Sequence, residues 1–173
     1  VRLFVALELP DHVRGTLERW RPRDGALRPV AEEQLHVTLA FLGERDAAQA
    51  AVVAELLPAV RRPVRALALG GVLALPPRRP RVLAVTVQDG DGALGALQAD
   101  VATGLDAAIG WRSEHPRFLA HVTVARVRGR LAAPVPPSSP PPSGRFAATA
   151  LTLFRSHTGA GGSRYERVET VPL

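Results

Sequence analysis

Two four-residue runs carry the chemistry legible in this chain: His36-Val37-Thr38-Leu39 and His121-Val122-Thr123-Val124, each His-apolar-Thr-apolar and 85 positions apart. In a β-strand, side chains alternate between faces, so each His projects on the same side as its own Thr, about 6.6 Å further along at roughly 3.3 Å per residue. Each run therefore offers an imidazole and a hydroxyl to one surface. Two such strands facing one cleft supply a general acid, a general base and two hydroxyl donors. That set suits an anionic group attacked from one side and released from the other.

The rest of the chain must position these runs. Arg2 to Glu8 is short, apolar and β-favouring, and reads as a buried strand. Asp11 opens a helix with Val13, Leu17 and Trp20 on one stripe, and Arg21 to Val30 reads as a connecting loop. The first run lies on a strand from Gln34 to Leu42, ended by Gly43-Glu44. An Ala-rich helix covers Asp46 to Leu57, closed at Pro58 or at the latest by Pro63. Arg65 to Leu75 predicts a strand with a bulge at Gly70-Gly71, or two short strands, and pairs as a hairpin with Arg81 to Val87 across a Pro-rich basic turn. Gly90 to Gly110 is a long amphipathic helix, and the second run lies on a strand from about Leu119 to Val127. Ala133 to Pro142 has the composition of an extended polyproline-like spacer. Arg145 to Ser156 and Arg164 to Thr170 are the last strands, joined by a turn at Gly159 to Gly162. Each half thus has a helix, a strand bearing His-x-Thr and strands to pair with it, which suggests two lobes related by a pseudo-twofold that brings the runs face to face.

A length of 173 residues with 46% hydrophobic content supports one core, so residues 1–173 are read as a single domain of two intimate lobes. No stretch is long and apolar enough to span a membrane. The opening residues, with Arg2, Glu8 and Pro10-Asp11, do not resemble a signal peptide, so the expectation is a cytoplasmic protein. The formal charge of +6 rests on 22 basic residues, all of them Arg. That is consistent either with a genome that uses Arg at every solvated basic position or with a phosphate-bearing partner, for which guanidinium is suited. The absence of Cys excludes disulfides, thiolate zinc sites and a Cys nucleophile.

Two His with Thr partners and no fixed carboxylate make a poor metal-ligand set, and no His-Glu-x-x-His spacing is present. No Gly-x-Ser-x-Gly elbow supports a Ser hydrolase, and without Lys there is no phosphate-binding Gly-x-x-x-x-Gly-Lys-Ser/Thr loop. Paired acid-base catalysis on a phosphodiester remains. One neutral His takes a proton from water, the other as imidazolium protonates the departing oxygen, and the Thr hydroxyls hold the non-bridging oxygens.

The runs LHVTLAFLGE at 35–44 and RFLAHVTVAR at 117–126, with RLFVALELP at the start and FRSHTGAGGSRYERV at 154–168, resemble the RNA 2′,3′-cyclic phosphodiesterase (LigT/ThpR) family of the two-histidine (2H) phosphoesterase superfamily. The resemblance spans essentially the whole chain. It implies a bilobal α+β fold, with two antiparallel-sheet lobes, outer helices and a central groove. It also implies metal-independent opening of RNA 2′,3′-cyclic phosphate ends to 2′-phosphates without a cofactor, and reversible 2′-5′ ligation. By the same resemblance His36 is the proton donor to the leaving 3′ oxygen, His121 the acceptor that activates water, and Thr38, Thr123 and Arg126 bind phosphate. On a regular strand Arg126 points away from His121 and Thr123, so this role calls for a bulge, a strand end or a long reach. The family usually has Pro where this chain has Ala120.

Phe4 and Tyr165 are candidates for lining the groove or stacking a base, against core or edge packing as the alternative. His12, His115 and His157 are read as surface residues, and Arg78, Arg79 and Arg81 as a solubilised turn or a guide for RNA phosphates. The expected partner is RNA with a 2′,3′-cyclic phosphate end or a related nucleotide, met by a monomer without membrane or metal. Two other readings stand beside it: a 2H phosphoesterase acting on a small cyclic nucleotide or ADP-ribose cyclic phosphate, and a non-catalytic RNA-end clamp.

Overall fold

The computed structural model describes residues 1–129 and 139–173. Its strands are β1 (Arg2–Glu8), β2 (Leu27–Pro29), β3 (His36–Glu44), β4 (Leu67–Leu75), β5 (Val82–Asp89), β6 (His121–Val127), β7 (Ala150–Gly159) and β8 (Gly162–Pro172). Three α-helices accompany them, α1 (Asp11–Trp20), α2 (Ala47–Val60) and α3 (Ala93–Ile109). The strands form an antiparallel array in the order β4-β5-β6-β3-β1-β7-β8, with β2 beside β6. Its two wings, β4-β5-β6-β2 and β3-β1-β7-β8, meet at a single registered pair, Val37↔Val122. This is the expected two-lobed α+β fold, with the lobes joined through a narrow seam.

The apolar run of β1 is continuous because both of its faces are covered. Leu3, Val5 and Leu7 enter the main core with Leu17, Val53, Leu57, Leu97 and Val101 from the helices. Phe4 and Ala6 face the other way and form a second cluster with Phe154, against which Tyr165 packs. Helix α2 starts at a capping box, in which Asp46 accepts from the Gln49 backbone N–H and the Gln49 side chain returns to the Asp46 backbone.

Several boundaries differ from the sequence expectation. Residues 27–29 of the expected loop pair with β6 as β2, because the Leu27 side chain is buried and the backbone of Arg28 and Pro29 lies against Arg126 and Ala125. A short 3₁₀ turn at Glu32–Gln34 precedes β3, which therefore begins at His36. Pro58 lies inside α2 rather than closing it, and the helix runs on to Val60. Proline there cannot donate a backbone bond and its ring crowds the carbonyl four residues back, yet the helix continues two residues further before Arg61 turns to an extended conformation. The strand expected from Arg145 begins at Ala150, preceded by an isolated bridge from Phe146 to Leu67, and runs through His157 to Gly159. His157 is thus a strand residue, bonded to Glu166 at 2.7 Å. The expected spacer at 133–142 lies outside the described residues as far as position 138; residues 139–142 have no regular structure, and the Ser139 carbonyl accepts from the Trp20 indole at 2.8 Å.

Candidate active site

The seam builds the site. Val37 and Val122 occupy the same place in their two runs and pair antiparallel with each other, as a local twofold axis requires. Both are fully buried. Alternation then turns the residues on either side of them, His36, Thr38, His121 and Thr123, to the opposite face. Antiparallel register about the Val pair sets His36 beside Thr123 and Thr38 beside His121. The next strands out repeat the symmetry with small residues: Ala6 is the partner of Thr38 on β1, and Ala84 is the partner of Thr123 on β5. Two alanines beside the two hydroxyls leave the floor of the cleft low.

The imidazoles are held alike. Nδ1–H of His36 donates to the Gln34 carbonyl at 2.7 Å, and Nδ1–H of His121 donates to the Leu119 carbonyl at 2.7 Å. In both, the bond to the residue two positions earlier leaves Nε2 directed to the cleft. His36 Nε2 also accepts from the Thr38 hydroxyl at 3.0 Å. The Gln34 side chain is itself anchored, donating to the Ser163 carbonyl at 2.6 Å.

The surroundings of the two rings are unequal. His36 stacks on Phe4 at 5.0 Å between centroids and meets Tyr165 edge-on at 5.5 Å. Phe154 backs Phe4 at 5.1 Å. Burial among these rings is the largest influence on His36 and brings its pKa down to about 4; the Gln34 carbonyl opposes this, and His121 adds to it. Glu8, the cross-strand partner of His36, pulls weakly upward. Its carboxylate is held ionised chiefly by Arg167, which bonds both oxygens at 2.9 and 2.7 Å, and by the Thr152 hydroxyl at 2.7 Å.

Arg126 reaches the cleft through a bulge. Along β6, Thr123 pairs with Ala84 and Ala125 with Leu83, so Val124 is one residue more than β5 can match. The extra residue inverts the alternation, Val124 and Ala125 are both buried, and Arg126 emerges on the face of His121. β3 carries the same bulge at Leu39, between the pairs Ala6↔Thr38 and Val5↔Ala40. The repeat is therefore six residues long, His36 to Phe41 and His121 to Arg126, and Phe41 stands where the second copy has Arg126. Phe41 is 50% exposed. Carbonyls at or near the bulges find partners outside the ladder: Val124 accepts from the Val30 N–H at 3.0 Å, Leu39 from the Gln98 side chain at 3.4 Å, and Phe41 from the Trp111 indole at 2.9 Å.

All seven residues named from sequence, Phe4, His36, Thr38, His121, Thr123, Arg126 and Tyr165, line one cleft of about 310 Å³. Phe4 is a core residue at 3% exposure and at the same time part of the cleft wall. The Ala120 carbonyl, just before β6, accepts from the Val87 backbone N–H at 2.9 Å. Arg2, Gln34, Phe41, Ser156, Thr158 and Ser163 join the lining without having been singled out. The signal for Phe41 was its place five residues after His36, matching Arg126 after His121. Among the described residues no group of three or more His, Cys, Asp or Glu gathers as metal ligands. Among the same described residues no helix is long and apolar enough to cross a membrane.

Known proteins resemble this chain in sequence and in fold. Residues 9–160 match the model of the 2′-5′ RNA ligase superfamily. An Escherichia coli K12 protein named RNA 2′,3′-cyclic phosphodiesterase is 32% identical over 169 residues, 95% of this chain and 92% of that one. A protein of the same name from Aeropyrum pernix is 36% identical over 104 residues, 60% of this chain and 58% of that one. The crystal structure of E. coli LigT complexed with 3′-AMP superposes with a TM-score of 0.81 at 30% identity, covering 99% of this chain and 97% of that one.

Proposed function

This chain belongs to the 2′-5′ RNA ligase superfamily, and on that premise we propose that it is an RNA 2′,3′-cyclic phosphodiesterase that opens the cyclic end to a 2′-phosphate by paired-histidine acid-base catalysis. The observation that carries the reading is the shared posture of His36 and His121, each tied back through Nδ1–H and each presenting Nε2 to one cleft. His121, with a lone pair on Nε2, takes a proton from water as the water oxygen bonds to phosphorus. The bond from phosphorus to O3′ breaks, and His36 as imidazolium gives its Nε2 proton to that oxygen. The products are a 2′-phosphomonoester and a free 3′ hydroxyl.

The Thr38 and Thr123 hydroxyls hold the non-bridging oxygens, and the Arg126 guanidinium offsets the charge that builds in the transition state. His36 is neutral at pH 7 in the protein by itself, so its acid role depends on the substrate phosphate raising its affinity for a proton. Phe41, exposed at the rim, offers a face on which the terminal base stacks. An RNA 5′ hydroxyl in place of water gives a 2′-5′ linkage by the same proton transfers, so ligation is a second reaction open to the same site.

The test is an oligonucleotide ending in 2′,3′-cyclic phosphate, incubated in EDTA, with the product position assigned by NMR. A 2′-phosphate is expected, with His36→Ala and His121→Ala folded and each reduced at least about 100-fold. Loss of activity on chelation, or a 3′-phosphate product, would overturn the mechanism.

A further inference from the structure

Resting on the cyclic phosphodiesterase reading above, we propose that the cleft continues past Arg2 into a second subsite. It holds the phosphodiester immediately 5′ of the reacting nucleotide, so that the protein acts on oligonucleotide ends in preference to nucleoside 2′,3′-cyclic phosphates.

A second cavity of about 360 Å³ adjoins the catalytic cleft, lined by Arg2, Glu44, Arg155, Ser156, His157 and Thr158. Arg2, Ser156 and Thr158 line both spaces, so the two adjoin across these side chains. The strand layout explains the extension. β1 pairs with β7 as far as Arg2↔Ser156, beyond which His157 to Gly159 pair only with β8. The β7-β8 hairpin thus runs on past the β1 ladder and walls a notch at its end.

Arg2 shares the face of Phe4 by alternation and stands about 6.6 Å beyond it, at roughly 3.3 Å per residue. Phe4 is the ring stacked on His36. Arg2 is therefore displaced from the proton donor's backing by a step comparable to the spacing of successive phosphates along an extended single strand. Its guanidinium lies over the Phe41 ring, 4.9 Å from the centroid, so a base stacked on Phe41 brings its own sugar-phosphate link toward Arg2.

Charge favours the same occupant. Among the described residues neither Arg2 nor Arg155 has a carboxylate within 4.0 Å, whereas His157 is engaged by Glu166. Glu44 is the one carboxylate in the lining against two guanidiniums, and the Ser156 and Thr158 hydroxyls add neutral donors. A guanidinium fork matches a phosphodiester bidentately. With O2′ and O3′ committed to the reacting phosphate at the His pair, the terminal ribose has only O5′ left to connect it to the chain. The next anionic group is the phosphodiester on that oxygen. A nucleoside cyclic phosphate makes no use of this end of the cleft.

Three substrates test this: uridine 2′,3′-cyclic phosphate, the corresponding dinucleotide with a terminal cyclic phosphate, and the same dinucleotide with a neutral methylphosphonate linkage. The wild-type protein should show kcat/KM about tenfold or more higher on the charged dinucleotide than on the mononucleotide, and most of that gain should vanish with the neutral linkage. In Arg2→Gln the ratio of charged dinucleotide to mononucleotide should fall to near one, and in Glu44→Gln it should rise. The proposal is overturned if the methylphosphonate is as good a substrate as the phosphodiester, or if Arg2→Gln lowers kcat/KM on dinucleotide and mononucleotide equally. Hydrolysis of the mononucleotide at a dinucleotide ratio of one would sink the subsite alone. No turnover of any of the three would sink the cyclic phosphodiesterase reading and the subsite with it.

Discussion

The two histidines are equivalent in backbone and unequal in environment, and the difference is measurable. His36 sits against Phe4, Phe154 and Tyr165, and its pKa of about 4 lies below the ordinary 6.5 because burial penalises the imidazolium. Between pH 6.5 and 4 the unfolded chain binds a proton at this position that the folded chain refuses. Stability is therefore fully present above pH 6.5 and declines on acidification to about pH 4, by at most about 3 kcal/mol. His36→Phe, which keeps a ring in the stack, should remove this part of the acid sensitivity; urea unfolding at pH 7 and pH 4.5 checks it, and an unchanged pH dependence in the mutant would count against a buried neutral imidazole. The same group predicts a bell-shaped kcat/KM with an acidic limb near pH 4, because kcat/KM reports the free protein.

At the scale of the element, the working unit is a strand with a bulge. Without the extra residue at Val124, Arg126 points into the core side of the sheet; with it, the guanidinium joins His121 and Thr123. Parity alone showed that Arg126 needed some such irregularity, but no residue in His-Val-Thr-Val-Ala-Arg announces a bulge, since all of its members suit a regular strand. The bulge is set by partners distant in sequence, as the Trp111 indole on the Phe41 carbonyl and the Gln98 amide on the Leu39 carbonyl illustrate. Trp111→Phe retains an aromatic ring in the core while releasing the Phe41 carbonyl. It should cost about 1–2 kcal/mol by chemical denaturation, and in assays with an oligonucleotide cyclic phosphate it should raise KM more than it lowers kcat, since Phe41 is assigned to the base. A change confined to kcat would contradict that assignment.

For the molecule as a whole, the narrow seam between the wings raises the question of whether they unfold separately. One apolar core runs through both: Leu7, Val37, Val122 and Val85 form a buried row across the seam, and helices α2 and α3 pack against each other behind it. Shared burial of this kind couples the lobes more strongly than the single registered pair does. Thermal unfolding should therefore be one cooperative transition, with far-ultraviolet circular dichroism and the fluorescence of Trp20 and Trp111 changing together. Two resolved transitions would show the lobes to be independent. The excess of arginine also belongs to this scale, and it predicts that activity on oligonucleotides falls with added salt, as neutralised phosphates recover their counterions.

The strands that bear the histidines, the helices, the candidate acid-base pair and the family resemblance are all legible in the order of residues. Those features rest on local periodicity and on residue types whose chemistry does not depend on their neighbours. Long-range packing is what sets Val37 against Val122 rather than some other residue, turns Arg126 and Phe41 into the cleft, forms β2 within an expected loop, and closes aromatic rings around one histidine and not the other. Each of these depends on contacts between segments far apart in the chain, where register and packing choose among side-chain directions that the local sequence leaves equally open.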